Sequence, residues 1–450
     1  MTVPVPGLRR HLTRSAATAA LCLVLAGCGS GGWFGGEEEK RLPGQRLSVL
    51  QLDRRVEADP RLADVAVRLP DAVANEAWAQ AGGRPDHAMG HLALAPSPRE
   101  VWRADIGDGT SGERVLMSRP VVAQGRVYAM DTEYDVVALD AATGRQVWRV
   151  SIESERESGE AIGGGLAFAE GRIYATTGSG ELVALDAGSG AVLWRKPLGA
   201  PVRAAPTVAG GRAFVVTVDN RLLAHSARDG APLWNHTGIF ETAALLGGPS
   251  PAVEGGIVLA PYSSGELFAL RVENGRVAWS ESLTPLRRTG ALASLADIRG
   301  MPVVDRGLVL ATSHSGRTVA IDLRSGGRAW EQQVGGVNTP WAAGDFVFLL
   351  TADQEVLAIT RQAGRVRWVS QLDRFEDPED RTGPILWSGP VLAGGRLWLT
   401  SSDGRLVGLS AENGQVAERR QIPGGALMPP VVAGNTLYVL TDDGTLVAFR

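Results

Sequence analysis

The chain has 450 residues, with 45 Lys and Arg against 49 Asp and Glu, a net charge of −4 and a pI near 6.0. That balance offers no basic surface for nucleic acid or anionic headgroups, and no nucleic-acid partner is expected. Its 57 Gly, 25 Pro and 2 Cys describe a turn-rich chain, long enough to bury a core without disulfides.

Arg9, Arg10 and Arg14 precede an apolar run from Ala16 to Leu25. The run is too short to span a bilayer and reads as a secretory signal over 1–27. It ends in Leu25-Ala26-Gly27-Cys28, which resembles the bacterial lipobox, whose cysteine becomes the lipidated first residue of the mature protein. By that resemblance Cys28 is the lipidation site and membrane anchor, and 28–41 (CGSGGWFGGEEEKR) is a flexible tether. Gly29 in place of an aspartate implies transfer to the outer membrane of a Gram-negative cell. Cys22 leaves with the signal, so no structural disulfide is expected.

Residues 42–100 are predicted to be an N-terminal arm packed against residues 101–450, not a separate domain. RLSVLQL (46–52) has strand character and 60–98 is loop-like, including NEAWAQAGGRPDHAMGHLAL. His87 and His91 have the H-x₃-H spacing that suits a metal on a helix. Gly90 and the surrounding glycines and prolines argue against a helix, and no third ligand stands nearby, so no metal site is assigned.

From Tyr128 to Arg450 one unit recurs eight times, most clearly as VVALDAATGRQVW (136–148), LVALDAGSGAVLW (182–194), LFALRVENGRVAW (267–279) and TVAIDLRSGGRAW (318–330). The mean spacing of about 44 residues is the blade period of a β-propeller. An alternating apolar strand leads into a glycine turn (Gly144, Gly190, Gly230, Gly275, Gly326, Gly364, Gly414), and a tryptophan follows four residues later. A proline begins most units (Pro120, Pro206, Pro251, Pro302, Pro340, Pro390, Pro430), as suits the first residue of a strand. Asp403-Gly404, Asp443-Gly444, Ser264-Gly265 and Ser315-Gly316 are hairpin turns between the middle strands.

Four strands per period predict an all-β fold over 101–450, an eight-bladed β-propeller of four-stranded antiparallel blades. The eighth unit stops at Arg450 without a fourth strand, while an unpaired VWRADIG strand lies upstream at 101–107. Donating that N-terminal strand to the last blade would close the ring and remove a sheet edge. Glu418 stands where the seventh tryptophan belongs, so blade 7 is expected to be the least well sealed.

The serines, acids and glycine loops assemble no catalytic set. There is no G-x-S-x-G or Cys/His constellation, Gly163-Gly164-Gly165 precedes a strand and not a helix, and the Asp-Gly pairs lack an EF-type ligand series.

The A-L-D-x-x-T-G-x-x-x-W unit resembles the tryptophan-docking repeat of pyrroloquinoline-quinone (PQQ) propellers over roughly residues 75–450. Two families carry it. The quinoprotein dehydrogenases hold the quinone and a calcium on the propeller axis, and those of alcohol-dehydrogenase type add an adjacent Cys-Cys disulfide that this chain lacks. The BamB family, lipoprotein subunits of the outer-membrane β-barrel assembly machinery, is similar in length, lipobox and degenerate repeats. The resemblance therefore implies a non-enzymatic scaffold without PQQ or metal, binding a BamA-type subunit and serving nascent outer-membrane proteins. A periplasmic PQQ-dependent oxidoreductase and a generic ligand-binding propeller lipoprotein remain the alternatives.

In the BamB family two consecutive connections carry the partner contacts, with Leu-x-Leu-Arg-Gly and Leu-Ser-Asp-Val-Asp strings. Here the first reads ALLGGPSP, so Leu245 matches and Leu246 replaces the arginine. The second reads ASLADIRGMP, so Leu295 and Asp297 match and Arg299 replaces the second aspartate. Leu245, Leu246, Leu295, Asp297 and Arg299 are the implied partner-binding residues, with Asp297 as a charge free to pair across the interface. The Asp403-Gly404 and Asp443-Gly444 hairpins are expected on the opposite rim.

Overall fold

The computed structural model describes residues 56–154, 162–284 and 296–450; the signal sequence, Cys28 and Leu295 lie outside the described residues. Among the described residues are eight four-stranded antiparallel sheets, the blades of an eight-bladed propeller, and one extra two-stranded hairpin. Blades 1 to 7 occupy 121–151, 164–197, 207–237, 252–282, 303–332, 341–371 and 387–421. Their strands are called a to d in chain order. The eighth blade takes strands a to c from 431–449, and Glu100–Asp105 lies antiparallel beside Thr445–Phe449 with Trp102 opposite Ala448. The hairpin, Phe375–Asp377 with Thr382–Pro384, sits within the connection from blade 6 to blade 7.

Burial follows the layering. Strand c of blade 2, Glu181–Asp186, buries four consecutive residues because neighbouring blades cover both of its faces. Strand d of blade 1, Gln146–Ser151, alternates between partial burial and exposure because its outer side meets water.

The repeat's glycine and tryptophan act between blades. The indole Nε1 of Trp102, Trp148, Trp194, Trp234, Trp279, Trp330 and Trp368 each donates to a carbonyl in the next blade, at 2.6–3.2 Å. The acceptors are Ala141, Ala187, Arg228, Val272, Leu323, Arg361 and Ala411, all just past the end of strand c. The ring then covers that blade's turn glycine. A Cβ on Gly144 would lie 2.6 Å from Trp102, and one on Gly190 2.8 Å from Trp148, so a side chain cannot stand there. Within a blade, alanine on strand c lets an aromatic on strand b reach the tryptophan, as in Tyr128–Ala138–Trp148 with ring centroids 5.9 Å apart.

Blade 7 departs from this for a structural reason. Its strand d would dock just past strand c of blade 8, where Arg450 pairs with Arg99 through two backbone hydrogen bonds of 2.7 and 2.8 Å in place of a glycine turn. Glu418 instead pairs with Arg396 and Arg420, and Arg420 lies over Phe449 at 5.8 Å. The bulk moves to strand b, where Trp398 is fully buried opposite Gly408. The blade is sealed by other means, with Glu418 only 12% exposed.

Residues 73–93 make a circuit of the inner strands. Asn75 bonds Val432 and Gly434 of blade 8, and Trp78 exchanges two backbone bonds with Val122 of blade 1. Ala79 accepts from Phe168 of blade 2, and the Gln80 amide bonds Val208 of blade 3 in both directions. Pro85 and Asp86 accept from Val253 and Val304 of blades 4 and 5, Gly90 from Trp341 of blade 6, and Leu92 bonds Leu392 and Gly394 of blade 7. The segment closes on itself where Val73 pairs with His91 and Ala93 at 2.9 Å. An innermost strand is a sheet edge with unspent polar groups, and this segment satisfies part of seven of the eight and takes the Trp341 indole of the other.

Strand alternation also fixes which turns share a rim. Strand d ends where the b–c hairpin lies: Leu283 donates to Gly265 at 2.8 Å and Ile422 to Gly404 at 2.9 Å. The Asp403-Gly404 and Asp443-Gly444 hairpins therefore share the rim of the d-to-a connections, contrary to the sequence expectation. The opposite rim carries the a–b and c–d turns, such as Gly394-Gly395 and the Glu273 turn, and the 73–93 circuit lies toward it.

Candidate functional site

Two adjacent features occupy the rim of the d-to-a connections: a leucine loop held by its neighbour, and a cationic cavity on the axis. Leu245 and Leu246 lie on the connection from blade 3 to blade 4, and Asp297 and Arg299 on the next one. Asp297 is 4% exposed, and its Oδ2 accepts the Leu245 backbone N–H at 2.9 Å. It is turned inward and is not free to pair with a partner, which corrects the role expected of it. Burial raises its pKa, against the pull of the Leu245 N–H and of Arg299. Arg299 donates from Nε to the Leu246 carbonyl at 2.6 Å and lies against Gly247. The two departures from the family strings thus meet, Leu246 through its carbonyl and Arg299 through its guanidinium.

What faces solvent is apolar. Leu246 is 42% exposed, and earlier in the same connection Ile239 and Phe240 are 59% and 64% exposed. The loop's start is pinned by Ile239, whose N–H donates to Glu266 at 2.9 Å and whose carbonyl accepts from Asn220 at 2.6 Å. Ile239 and Phe240 are not among the residues expected from sequence, although an Ile-Phe pair between Gly238 and Glu241 in a long connection is the signal that marks them.

Beside this loop a cavity of about 180 Å³ opens on the axis, floored by Ala81 of the 73–93 circuit. Its charged lining residues are Arg119, Arg203 and Arg299, and no Asp or Glu lines it. Each arginine stands one or three residues before the proline ahead of a strand a (Pro120, Pro206, Pro302), in blades 1, 3 and 5. The ring brings them together. Burial and the Arg299 charge push the Arg119 guanidinium down to about 10. A calcium ion is held chiefly by carboxylate oxygens, and this lining offers none and sets three guanidiniums there instead, so the cavity does not fit a quinone–calcium pair.

The histidines are structural. His87 Nδ1 donates to the Pro302 carbonyl at 2.8 Å, while His91 Nδ1 donates to Pro70 at 2.7 Å and its Nε2 accepts from Gly395 at 2.9 Å. Among the described residues no three His, Cys, Asp or Glu side chains converge as metal ligands would.

Comparison with known proteins gives two family matches. The family profile described as outer membrane protein assembly factor BamB covers residues 153–370 and 373–450, more than half of the chain. A second, the β-propeller domain of glucose, ethanol and alcohol dehydrogenases, covers 99–195. The chain is similar to the outer membrane protein assembly factor BamB of Yersinia pestis, 29% identical over 52% of this chain and 57% of that protein. It is also similar to that of Escherichia coli K12, 29% identical over 45% and 50%. The chain thus spans about half the length of these curated relatives. Among solved structures, BamB from Moraxella catarrhalis matches with a TM-score of 0.66 at 20% identity, over 78% of this chain and 99% of that one. Quinohemoprotein alcohol dehydrogenase from Comamonas testosteroni matches with 0.65 at 15%, over 84% and 81%. At such identities the structural likeness speaks to fold alone.

Proposed function

This chain belongs to the outer membrane protein assembly factor BamB family, and from that premise we propose that it is a non-enzymatic scaffold lipoprotein in the assembly of outer-membrane β-barrel proteins. It is anchored through Cys28 on the periplasmic face of the outer membrane, and its direct partner is a BamA-type subunit.

The observation that carries the partner contact is the apolar tip of the blade 3 to blade 4 connection. Ile239, Phe240 and Leu246 are exposed together on one rim-side connection, and Asp297 and Arg299 hold that connection from below. Exposed apolar side chains on a pinned loop lose little conformational freedom on binding, as suits an interface centre. Leu246 and Phe240 are then the contacting groups, and Leu245, Asp297 and Arg299 set the loop's shape. Leu295 belongs to the same proposal through its family string.

The test is co-purification of the BamA-type subunit from solubilised outer membranes. Phe240→Ala with Leu246→Ala is expected to weaken it at least about tenfold, equivalent to about 1.4 kcal/mol. Glu273→Ala, on the opposite rim of blade 4, is expected to leave it unchanged. Equal recovery with the double variant would place the contact elsewhere.

A further inference from the structure

We propose that Arg119, Arg203 and Arg299 form a carboxylate-binding site on the propeller axis, open at the rim of the d-to-a connections, which takes an anion bearing two or more carboxylates. Three guanidiniums share one cavity of about 180 Å³ that no acidic side chain lines. Among the described residues none of the three forms an ion pair with a carboxylate. Asp297, the carboxylate that feels both Arg299 and Arg203, is already committed to the Leu245 N–H. Three positive groups against one negative leave about two charges uncompensated, and like charges in a partly desolvated cavity repel.

The donors point the same way. Arg119 makes one long bond of 3.4 Å, to the Ala81 carbonyl, and Arg299 spends Nε on Leu246, so most guanidinium N–H groups remain for a ligand. Ser250 and Ser388 turn their hydroxyls to the Ala205 and Leu427 carbonyls and do not compete for it. Planar forks facing a common space match carboxylate oxygens in pairs. Leu246 and Leu427 stand exposed among the lining residues, leaving room for apolar atoms beside the acids.

Two sources supply this chemistry: a free small polycarboxylate, or neighbouring acidic residues on a protein segment. Calorimetry on the full mature chain at fixed salt distinguishes them, with citrate as one probe and a capped Ala-Asp-Asp-Ala peptide as the other. Binding of citrate alone assigns a free anion, and tighter binding of the peptide assigns an acidic segment. Either result supports the site.

Arg119→Gln with Arg203→Gln is expected to weaken the binding probe at least about tenfold. Its melting temperature without ligand should rise, because mutual repulsion is removed. Arg203→Lys, which keeps the charge and loses the fork, should fall between and serves if the double variant does not fold. Absence of binding by both probes below about 1 mM, or equal binding by all variants, overturns the proposal. Neither probe contains the assembly partner, so failure of the co-purification reading leaves this result standing.

Discussion

The two ends of the propeller axis are built from opposite materials. At one, the 73–93 circuit spends its backbone and the Gln80 amide on the inner strands of the eight blades and stacks Trp78 on Trp341 at 6.2 Å. At the other, the connections converge side chains that are not satisfied: three arginines and an apolar tip. Closing an end with backbone hydrogen bonds gives stability and leaves little to recognise. Converging unpaired charge and exposed apolar surface costs stability and leaves much to bind, as sites commonly do.

That contrast can be broken by substitution at matched positions. Trp78 is 3% exposed within the circuit, so Trp78→Ala is expected to cost about 3–5 kcal/mol in denaturant unfolding. A cost below about 1 kcal/mol would show that the circuit rests on the fold without supporting it.

The next effect is pH-dependent. Burial pushes the His87 imidazole down to about 4 from 6.5, with its Nε2 unpartnered. The unfolded chain takes up this proton below about pH 6.5, whereas the folded chain resists until about pH 4. Stability from neutral His87 is thus complete above pH 6.5 and lost as the pH falls through that window, by about 3 kcal/mol. His87→Gln should show a flatter stability profile between pH 7 and 4; an identical profile would remove His87 as its source.

Smaller again is Gly82→Ala. Its Cβ would overlap the His87 ring, and overpacking of this kind costs about 1–3 kcal/mol. Leu246→Ala, at the other end, is expected to change stability by no more than about 0.5 kcal/mol, which sharpens the contrast between an end that holds and an end that binds.

The Gly–Trp offset is readable along the chain, as is the fitness of a bulky flat ring there to pack on the neighbouring blade; that the ring's seat is the turn glycine of that blade is not. Glu418 shows the same limit. From sequence it is a broken pattern. In the fold it stands where the pairing of Arg450 with Arg99 takes the place of a glycine turn, with Trp398 and Gly408 exchanging bulk across the strands. At the site, Leu245, Leu246, Asp297 and Arg299 were named on family strings. Their division into exposed tip and inward support required knowing that Asp297 is buried, and alternation cannot report burial in a connection that is not a strand.

By itself the sequence determined the blade count, the strand and turn positions and the family, since these rest on a repeated period and on turn chemistry within a few residues. Only the tertiary structure decided what meets on the axis. A ring of eight blades brings Arg119, Arg203 and Arg299 to one cavity although about 80 to 100 residues separate neighbours in the chain. It also lets a single short segment touch every blade. Both follow from closure of the ring, which gathers the same position of each repeat around one line and leaves no mark within any one repeat.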